Sequence, residues 1–292
     1  MNENLHINYS NEEIKIKVMQ YNIYFKYKED RVIKLINDVN ADIVCLQEVA
    51  QIPGTKSINK FLSNFDQYYY ELAYRDAKEG SFGQAILYKK DKFYPLKTVK
   101  QWISDTSNMV SNTYDTGNLT YLLFGTQFMH ISNNKIVTNK APFWIFNTHF
   151  GIPEDTKTKS AHKTVQLIKS LVEYDEYLLC GDFNFFPDKD ADKQRKIFTD
   201  EMIDFGKGAK TLSGLNIEGT FIGMHYDPYH ININNHSSIN SRLDHIFGST
   251  GFSSLNPTLY SKTMLDIEPK DMMVSDFPSD HLPLVIDFRL KN

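Results

Sequence analysis

Cysteine is almost missing from this chain: 292 residues carry two, Cys45 and Cys180. That count excludes a disulfide scaffold, and their separation excludes a paired-thiol metal site. Each sits in an apolar run (Ile43-Val44-Cys45-Leu46 and Tyr177-Leu178-Leu179-Cys180), where a free thiol serves as a small buried side chain. No apolar stretch approaches the roughly 18 residues that read as a membrane span. Met1 to Glu13 is polar and acidic and lacks the charged-then-apolar pattern of a cleaved signal, so the expectation is a cytoplasmic chain. Secretion by a route without a cleaved signal would leave no mark here. A basic excess is missing too: 32 Lys and Arg stand against 36 Asp and Glu, a formal charge of −4. Long nucleic acid is therefore not indicated as a partner, although a local patch or a bound cation can serve a phosphate. Linkers, repeats and low-complexity segments are absent as well. A polar tail over 1–13 and one domain over 14–292 are expected, acting as a monomer.

What the chain does have is a succession of short apolar runs. Ile14 to Ile23 alternates as a strand, Val32, Leu35, Ile36 and Val39 recur at helical spacing, and Ala41 to Val49 reads as a buried strand. A short helix is expected over Ile58 to Phe65. Strands are expected over Tyr68 to Tyr74, Ala85 to Tyr88, Phe93 to Ile103, Leu119 to Ile131 and Phe143 to Phe150. Lys159 to Leu171 carries Val165, Ile168 and Leu171 on one helical stripe. Tyr177 to Phe183 is a strand and Ile197 to Phe205 a helix. Arg242 to Phe247, a weak run near Thr258 to Tyr260, and Leu282 to Leu290 are the last strands. Many strands with few helices imply an α+β protein of two packed sheets with helices outside. The 20 Phe and 17 Tyr fall mostly in these strands and read as core. Tyr226 to Asn240, rich in Asn, His and Ser, reads as a long surface loop.

Several of the runs end on chemistry. Strand side chains repeat every two residues, so Asn147 and His149 share a face, as do Asp182 and Asn184, and Arg242 and Asp244. Asn22 closes the first strand, and Glu48 stands out of phase with Gln47 and Val49. Were these strands side by side, their tips would gather Asn22, Glu48, His149, Asp182, Asn184, Asp244, Asp280 and His281 in one polar cleft. Such a set offers hard oxygens and two imidazoles but no thiolate, which favours Mg²⁺, with Mn²⁺ as a substitute, over zinc. A cation of that kind neutralises charge building on a phosphoryl group. An imidazole paired with a carboxylate handles a proton near neutral pH. Taken singly, each residue has a plainer reading. Glu48 could cap a strand, His149 could be a hydrogen-bonded core histidine, and Gly181-Asp182-Phe183-Asn184 could be a turn.

In chain order, six segments carry a family pattern: Met19-Gln20-Tyr21-Asn22-Ile23, Gln47-Glu48-Val49, Asn147-Thr148-His149-Phe150, Gly181-Asp182-Phe183-Asn184, Ser241-Arg242-Leu243-Asp244-His245-Ile246-Phe247 and Ser279-Asp280-His281. On these the chain resembles the endonuclease/exonuclease/phosphatase superfamily, the deoxyribonuclease-I-like fold. The resemblance implies a four-layer α/β/β/α sandwich of two mixed sheets flanked by helices. It implies Glu48 as principal Mg²⁺ ligand with Asn22 beside it, and Asp280 completing the metal or water shell. Asp182 would align or deprotonate the attacking water and Asn184 would hold it. His281, kept cationic by Asp244, would contact the scissile phosphate, and His149 would donate to a non-bridging oxygen. Which of Asp182 and His281 is the base stays open. Arg242, Tyr226 and His225 are assigned to substrate contact; His230 and His236, in the same loop, fit no compact zinc spacing.

The activity implied is Mg²⁺-dependent hydrolysis of a phosphodiester, nuclease-like or on a lipid headgroup. A phosphomonoesterase acting on a sugar phosphate or phosphoinositide is the alternative, and an inactive binding module a third. His149 stands where abasic-site endonucleases of the superfamily carry Tyr. Trp102-Ile103-Ser104-Asp105-Thr106 and Gly219-Thr220-Phe221 look like segments of one bacterial branch. The chain departs from that branch where Tyr114-Asp115-Thr116-Gly117 lacks an arginine and where Ile222 replaces a histidine.

Overall fold

The protein is seen in a computed structural model, which describes residues 13–25, 29–50, 58–78, 81–112, 114, 119–133, 135–137, 140–186, 191–211, 219–222, 241–260 and 278–290. Two mixed sheets face each other. One runs in the order β11 (Lys210–Thr211), β13 (Phe252–Leu259), β14 (Leu284–Leu290), β1 (Ile14–Asn22), β2 (Ile43–Val49), β4 (Gly83–Lys89), β3 (Tyr68–Tyr74). The other runs β10 (Ile203–Asp204), β12 (Asp244–Gly248), β9 (Glu176–Asp182), β8 (Phe143–His149), β6 (Leu122–Ser132), β5 (Phe93–Trp102), and β7 (Lys135–Ile136) pairs with β6. The helices are α1 (Glu29–Val39), α2 (Ile58–Leu62), α3 (Glu154–Val172) and α4 (Ala191–Thr199).

Each sheet is centred on a parallel pair, β1 with β2 and β8 with β9. A parallel pair cannot be closed by a tight hairpin and needs a crossover, which α1 and α3 supply. Glu29 and Asp30 in the first turn of α1 suit its N-terminal dipole, and Val32, Leu35, Ile36 and Val39 form the buried stripe. Asn40 ends the helix at a left-handed φ of 48°, its N–H donating to the Ile36 carbonyl at 3.0 Å.

Alternation in the second sheet is clean. Phe143, Ile145, Leu178, Cys180 and Ile246 point inward to the core between the sheets, whereas Trp144, Phe146, Leu179 and Phe247 point outward, where α3 and α4 cover them with Ile168 and Phe198. Each fully buried side chain of this size contributes roughly 1.5–3 kcal/mol. Both cysteines are free and buried, as expected.

One helix is displaced from its expected place. Instead of a helix over 197–205, the chain forms α4 over Ala191–Thr199, turns, and adds Ile203–Asp204 as a strand against β12. Phe205, which extended the apolar stripe in sequence, donates its N–H to the Ile246 carbonyl at 2.9 Å and packs in the intersheet core. A tertiary contact has taken over a residue that local spacing assigned to the helix.

Candidate active site

The inward rows of the second sheet end in polar groups: Asn147 and then His149 on β8, Asp182 after Cys180 on β9, and Asp244 before Ile246 on β12. His149 is in register with Asp182, and Asp182 with Asp244. From the first sheet, Asn22 ends β1 and is in register with Gln47 of β2. Parallel strands all bring their C-terminal ends to one edge. The antiparallel strands β12 and β14 begin at that edge, which is why Asp244 opens β12 and Asp280 and His281 precede β14. Residues 219–222 stitch the two sheets together there: Ile222 N–H donates to the Asp280 carbonyl at 2.9 Å and Thr220 N–H to the Ser241 carbonyl at 3.0 Å.

Glu48 reaches the cluster by a backbone device. By plain alternation it would face away from Gln47, but β2 carries a bulge there, with Gln47 opposite Gln84, Val49 opposite Gly83, and Glu48 at φ 58° between them. A bulge re-aims one side chain. Glu48 thereby accepts Asn22 Nδ2 at 3.2 Å on Oε1 and Phe25 N–H at 2.9 Å on Oε2.

Asp182 is the hub. Its Oδ2 accepts Asn22 Nδ2 at 2.9 Å and lies 3.6 Å from His149 Nε2 and 3.7 Å from His281 Nε2. The two imidazoles thus converge on one carboxylate oxygen, and each has a second acid at 3.9 Å, Glu48 for His149 and Asp280 for His281. His281 Nδ1 meets Asp244 Oδ2 at 2.7 Å. Burial alone would lower the His281 pKa, but the charges of Asp244, Asp182 and Asp280 outweigh it and raise it to about 10. Burial raises Asp182 against the opposing pull of His281 and His149. Asp244 goes the other way: its burial is outweighed by His281 and by hydrogen bonds from His281, Thr220 and Gln20, so it stays ionised. Asp280 is pushed up to about 6 by burial and by the Glu48 and Asp182 charges, against His281.

Under this cluster lies an amide ladder between the sheets. Gln20 Nε2 donates to Asp244 Oδ1 at 3.1 Å, Gln47 Nε2 to Asn147 Oδ1 at 2.6 Å and to Gln20 Oε1 at 2.9 Å, and Asn147 Nδ2 to the Leu46 and Ala85 carbonyls at 2.9 and 3.0 Å. Buried amides so fully paired hold the two sheets in one register. Gln20, Gln47 and Asn147 stand in the sequence motifs, but local spacing does not reveal that they pair with one another. Lys157 of α3 was missed altogether, because a lysine on a helix reads as surface. Its side chain is 1% exposed, pairs with Glu154, and donates from Nζ to the Asn184 carbonyl at 2.9 Å.

Not every residue assigned from sequence joins the group. β9 ends at Asp182, so alternation does not carry to Asn184. That residue sits at φ 53°, donates its N–H to Asp182 Oδ1 at 2.9 Å and its Nδ2 to the Phe150 carbonyl at 2.7 Å. Its donors hold the turn and Asp182. Gly181 is not a turn glycine: it lies within β9, where a Cβ would stand 2.6 Å from the Thr148 carbonyl oxygen. Arg242 precedes β12 and does not share a face with Asp244. Its guanidinium pairs with Asp204, beside His245 on the outer side. Tyr226 and His225, like His230 and His236, lie outside the described residues.

The model of the endonuclease/exonuclease/phosphatase family matches residues 19–281, a span that holds every residue of this cluster. The chain belongs to that family. Endonuclease/exonuclease/phosphatase family members are phosphoesterase hydrolases. An uncharacterized protein of Acanthamoeba polyphaga mimivirus is 26% identical over 282 residues, covering 92% of this chain and 94% of that protein. The endonuclease/exonuclease/phosphatase from Bacteroides vulgatus has the same fold, with a TM-score of 0.72 and 22% identity over 95% of this chain and all of that one. A mannosyl-6-phosphatase of Bacteroides thetaiotaomicron superposes with a TM-score of 0.68 at 20% identity, covering 94% and 99%. Among the described residues, Asp182, Asp244 and His281 bring ligand atoms within 4.8 Å of one another.

Proposed function

We propose that the chain is a Mg²⁺-dependent phosphoesterase that hydrolyses a phosphodiester by attack of water, with residues 14–292 acting as one domain. The observation that carries the reading is the convergence of His149 and His281 on Asp182 Oδ2 at 3.6 and 3.7 Å. A phosphoryl group has oxygens to be held and a water to be activated, and this arrangement offers cationic or neutral N–H donors around one buried acid.

The residues fit a hard divalent cation. Burial first, and then the charges of Glu48 and Asp182, raise Asp280 to about 6, and a cation in the cleft would relieve the charge part of that rise. Glu48, Asn22 and Asp280 would hold it, with oxygen donors throughout. The trio Asp182, Asp244 and His281 suits an ion less well, because His281 Nδ1 and Asp244 Oδ2 are already joined by a 2.7 Å hydrogen bond. When bound, the cation neutralises charge gathering on the phosphoryl oxygens.

The chain's own residues do the rest. His281, held cationic by Asp244, donates from Nε2 to a phosphoryl oxygen. His149 Nε2 donates to another. Asp182, with its carboxylate raised by burial and fixed by Asn22 and the Asn184 N–H, orients the water and takes its proton. Asn184 contributes through its backbone N–H.

A phosphomonoesterase on a sugar phosphate is the second reading, favoured by the structural likeness to a mannosyl-6-phosphatase. The test is a panel with Mg²⁺: plasmid and oligonucleotide DNA, RNA, sphingomyelin, phosphoinositides, sugar phosphates and a generic diester. Asp182→Asn and His281→Ala serve as controls, each expected to lose at least about a hundredfold in kcat. Full activity in either variant removes the assigned mechanism.

A further inference from the structure

Thr220 is fully buried, and its polar groups are all spent on the two segments that carry the His281–Asp244 pair. Its N–H donates to the Ser241 carbonyl at 3.0 Å, and its carbonyl accepts the Leu282 N–H, next to His281, at 2.7 Å. Its Oγ1 accepts two backbone donors, the Leu243 N–H at 3.1 Å and the Asp244 N–H at 3.0 Å. The hydrogen on that oxygen is left for the Asp244 carboxylate. There a hydrogen bond from Thr220 joins the His281 charge in outweighing burial, so that Asp244 stays ionised.

The residues after Thr220 keep the same alignment. Phe221 bridges to Ser241 on one side and to His281 on the other, and its ring stands 5.2 Å from the His281 imidazole. Thr220 is thus seated between the segment that leads into Asp244 and the segment that holds His281. Gln20 fixes Asp244 Oδ1 from the first sheet, but Thr220 holds the backbone on both sides of the pair. Threonine suits this place, because branching at Cβ restricts χ1 and keeps the hydroxyl in one direction. Valine would copy the shape without the hydroxyl, and serine the hydroxyl without the branch.

We propose that Thr220 is a positioning residue for the hydrolysis, one that touches neither substrate nor cation and fixes the Asp244 carboxylate against the His281 imidazole. The role rests on the phosphoesterase reading for what His281 does. Loss of the hydroxyl takes away the acceptor that holds the Leu243 and Asp244 N–H groups, and a buried donor without its acceptor drives the backbone to shift. Asp244 opens β12, so a shift there re-aims the carboxylate and, through the 2.7 Å bond, the imidazole. Misplacement of that kind weakens contacts formed as the ester is cleaved more than those that bind it, so kcat falls while KM holds.

The experiment compares Thr220→Val with Thr220→Ser on whichever ester of the panel the wild type hydrolyses. Thr220→Val is expected to lose about tenfold to a hundredfold in kcat with KM unchanged, and Thr220→Ser to recover most of that loss. In a His281→Ala background the same Thr220→Val change is expected to cost nothing further, because the group it acts through is gone. A readout without turnover is the proton of the His281–Asp244 bond, a downfield ¹H resonance that His281→Ala deletes. Thr220→Val should move it upfield, and Thr220→Ser should restore it. Thermal unfolding checks that each variant is folded. Thr220→Cys, of similar size but with a much weaker hydrogen-bonding group, replaces Thr220→Val if that variant does not fold. Wild-type kcat in Thr220→Val, a loss of the same size with and without His281, or a resonance that does not move overturns the role. Wild-type protein inert toward every ester in the panel would remove the phosphoesterase reading instead, and the resonance by itself would then decide whether Thr220 sets the pair.

Discussion

His281 and Asp244 come from different sheets, and their side chains meet at 2.7 Å, Nδ1 to Oδ2. Asp244 opens β12 and His281 precedes β14, so the pair exists only while the two sheets are in register. Gln20, from the sheet that His281 leads into, donates to the other oxygen of the same carboxylate. The acid therefore ties together the charge on the imidazole and the alignment of the sandwich.

The first prediction follows from that pairing. Asp244→Asn removes the charge that keeps His281 cationic and should lower kcat by roughly 10²–10⁴, the range of a general acid–base contribution. His281→Ala should cost a similar amount. If the two act as a unit, the double variant loses no more than the worse single one, measured as a kinetic double-mutant cycle. Strictly additive losses would show that they act independently.

Cation binding is open to a test that does not depend on turnover. Mg²⁺ at about a hundred times its Kd should stabilise the wild type by about 2.7 kcal/mol, visible as a rise in Tm. Glu48→Gln should abolish the rise, and a chelator should reverse it in the wild type. A rise that survives in Glu48→Gln but vanishes in Asp244→Asn would transfer the ion to Asp182, Asp244 and His281.

Lys157 is expected to act as a positioning residue. It holds the Asn184 carbonyl at 2.9 Å, and the Asn184 N–H holds Asp182. Lys157→Met keeps most of the stem but leaves that carbonyl and Glu154 without their ammonium. A stability loss of about 1–3 kcal/mol is expected in urea unfolding. Because the turn aims Asp182, kcat should fall while KM holds, and Lys157→Arg should recover part of it. A stability loss with unchanged kcat would confine Lys157 to the fold.

Acid should destabilise the protein through His245, which is fully buried between Phe183 and Phe247 and near Arg242. Burial, then the Arg242 charge, lowers its pKa to about 4 against the ordinary 6.5. The unfolded chain binds a proton between these values that the folded chain refuses, so stability is full above 6.5 and is lost as pH falls toward 4. The loss between pH 7 and 5 amounts to about 2 kcal/mol. Asp280, raised to about 6, works in the opposite sense as pH falls. The measurement is therefore a difference: urea unfolding of wild type against His245→Gln, whose stability should fall less over that interval. Parallel curves would show that His245 does not titrate on unfolding.

Much of this molecule was legible in one dimension. Strand alternation identified the inward rows that end in His149, Asp182 and Asp244, and helical spacing identified Val32, Leu35, Ile36 and Val39. Those readings succeed because period-two and period-3.6 burial is a local consequence of backbone geometry. Alternation failed where strands stop. Asn184 lies past the end of β9 in a left-handed turn, and Arg242 lies ahead of β12, where it turns to Asp204. Phe205 has a spacing that suits a helix, yet the β12 edge claims it.

By itself the chain determined the kinds of groups available and their order: hard oxygens, two imidazoles, no usable thiol, and strand tips on which to mount them. Only the tertiary structure decided which of them meet. Glu48 needed a bulge at φ 58° to turn into the cleft, and Lys157 was hidden in what looked like helix surface. Side-chain direction at bulges, turns and strand ends depends on partners distant along the chain, and no local periodicity encodes it.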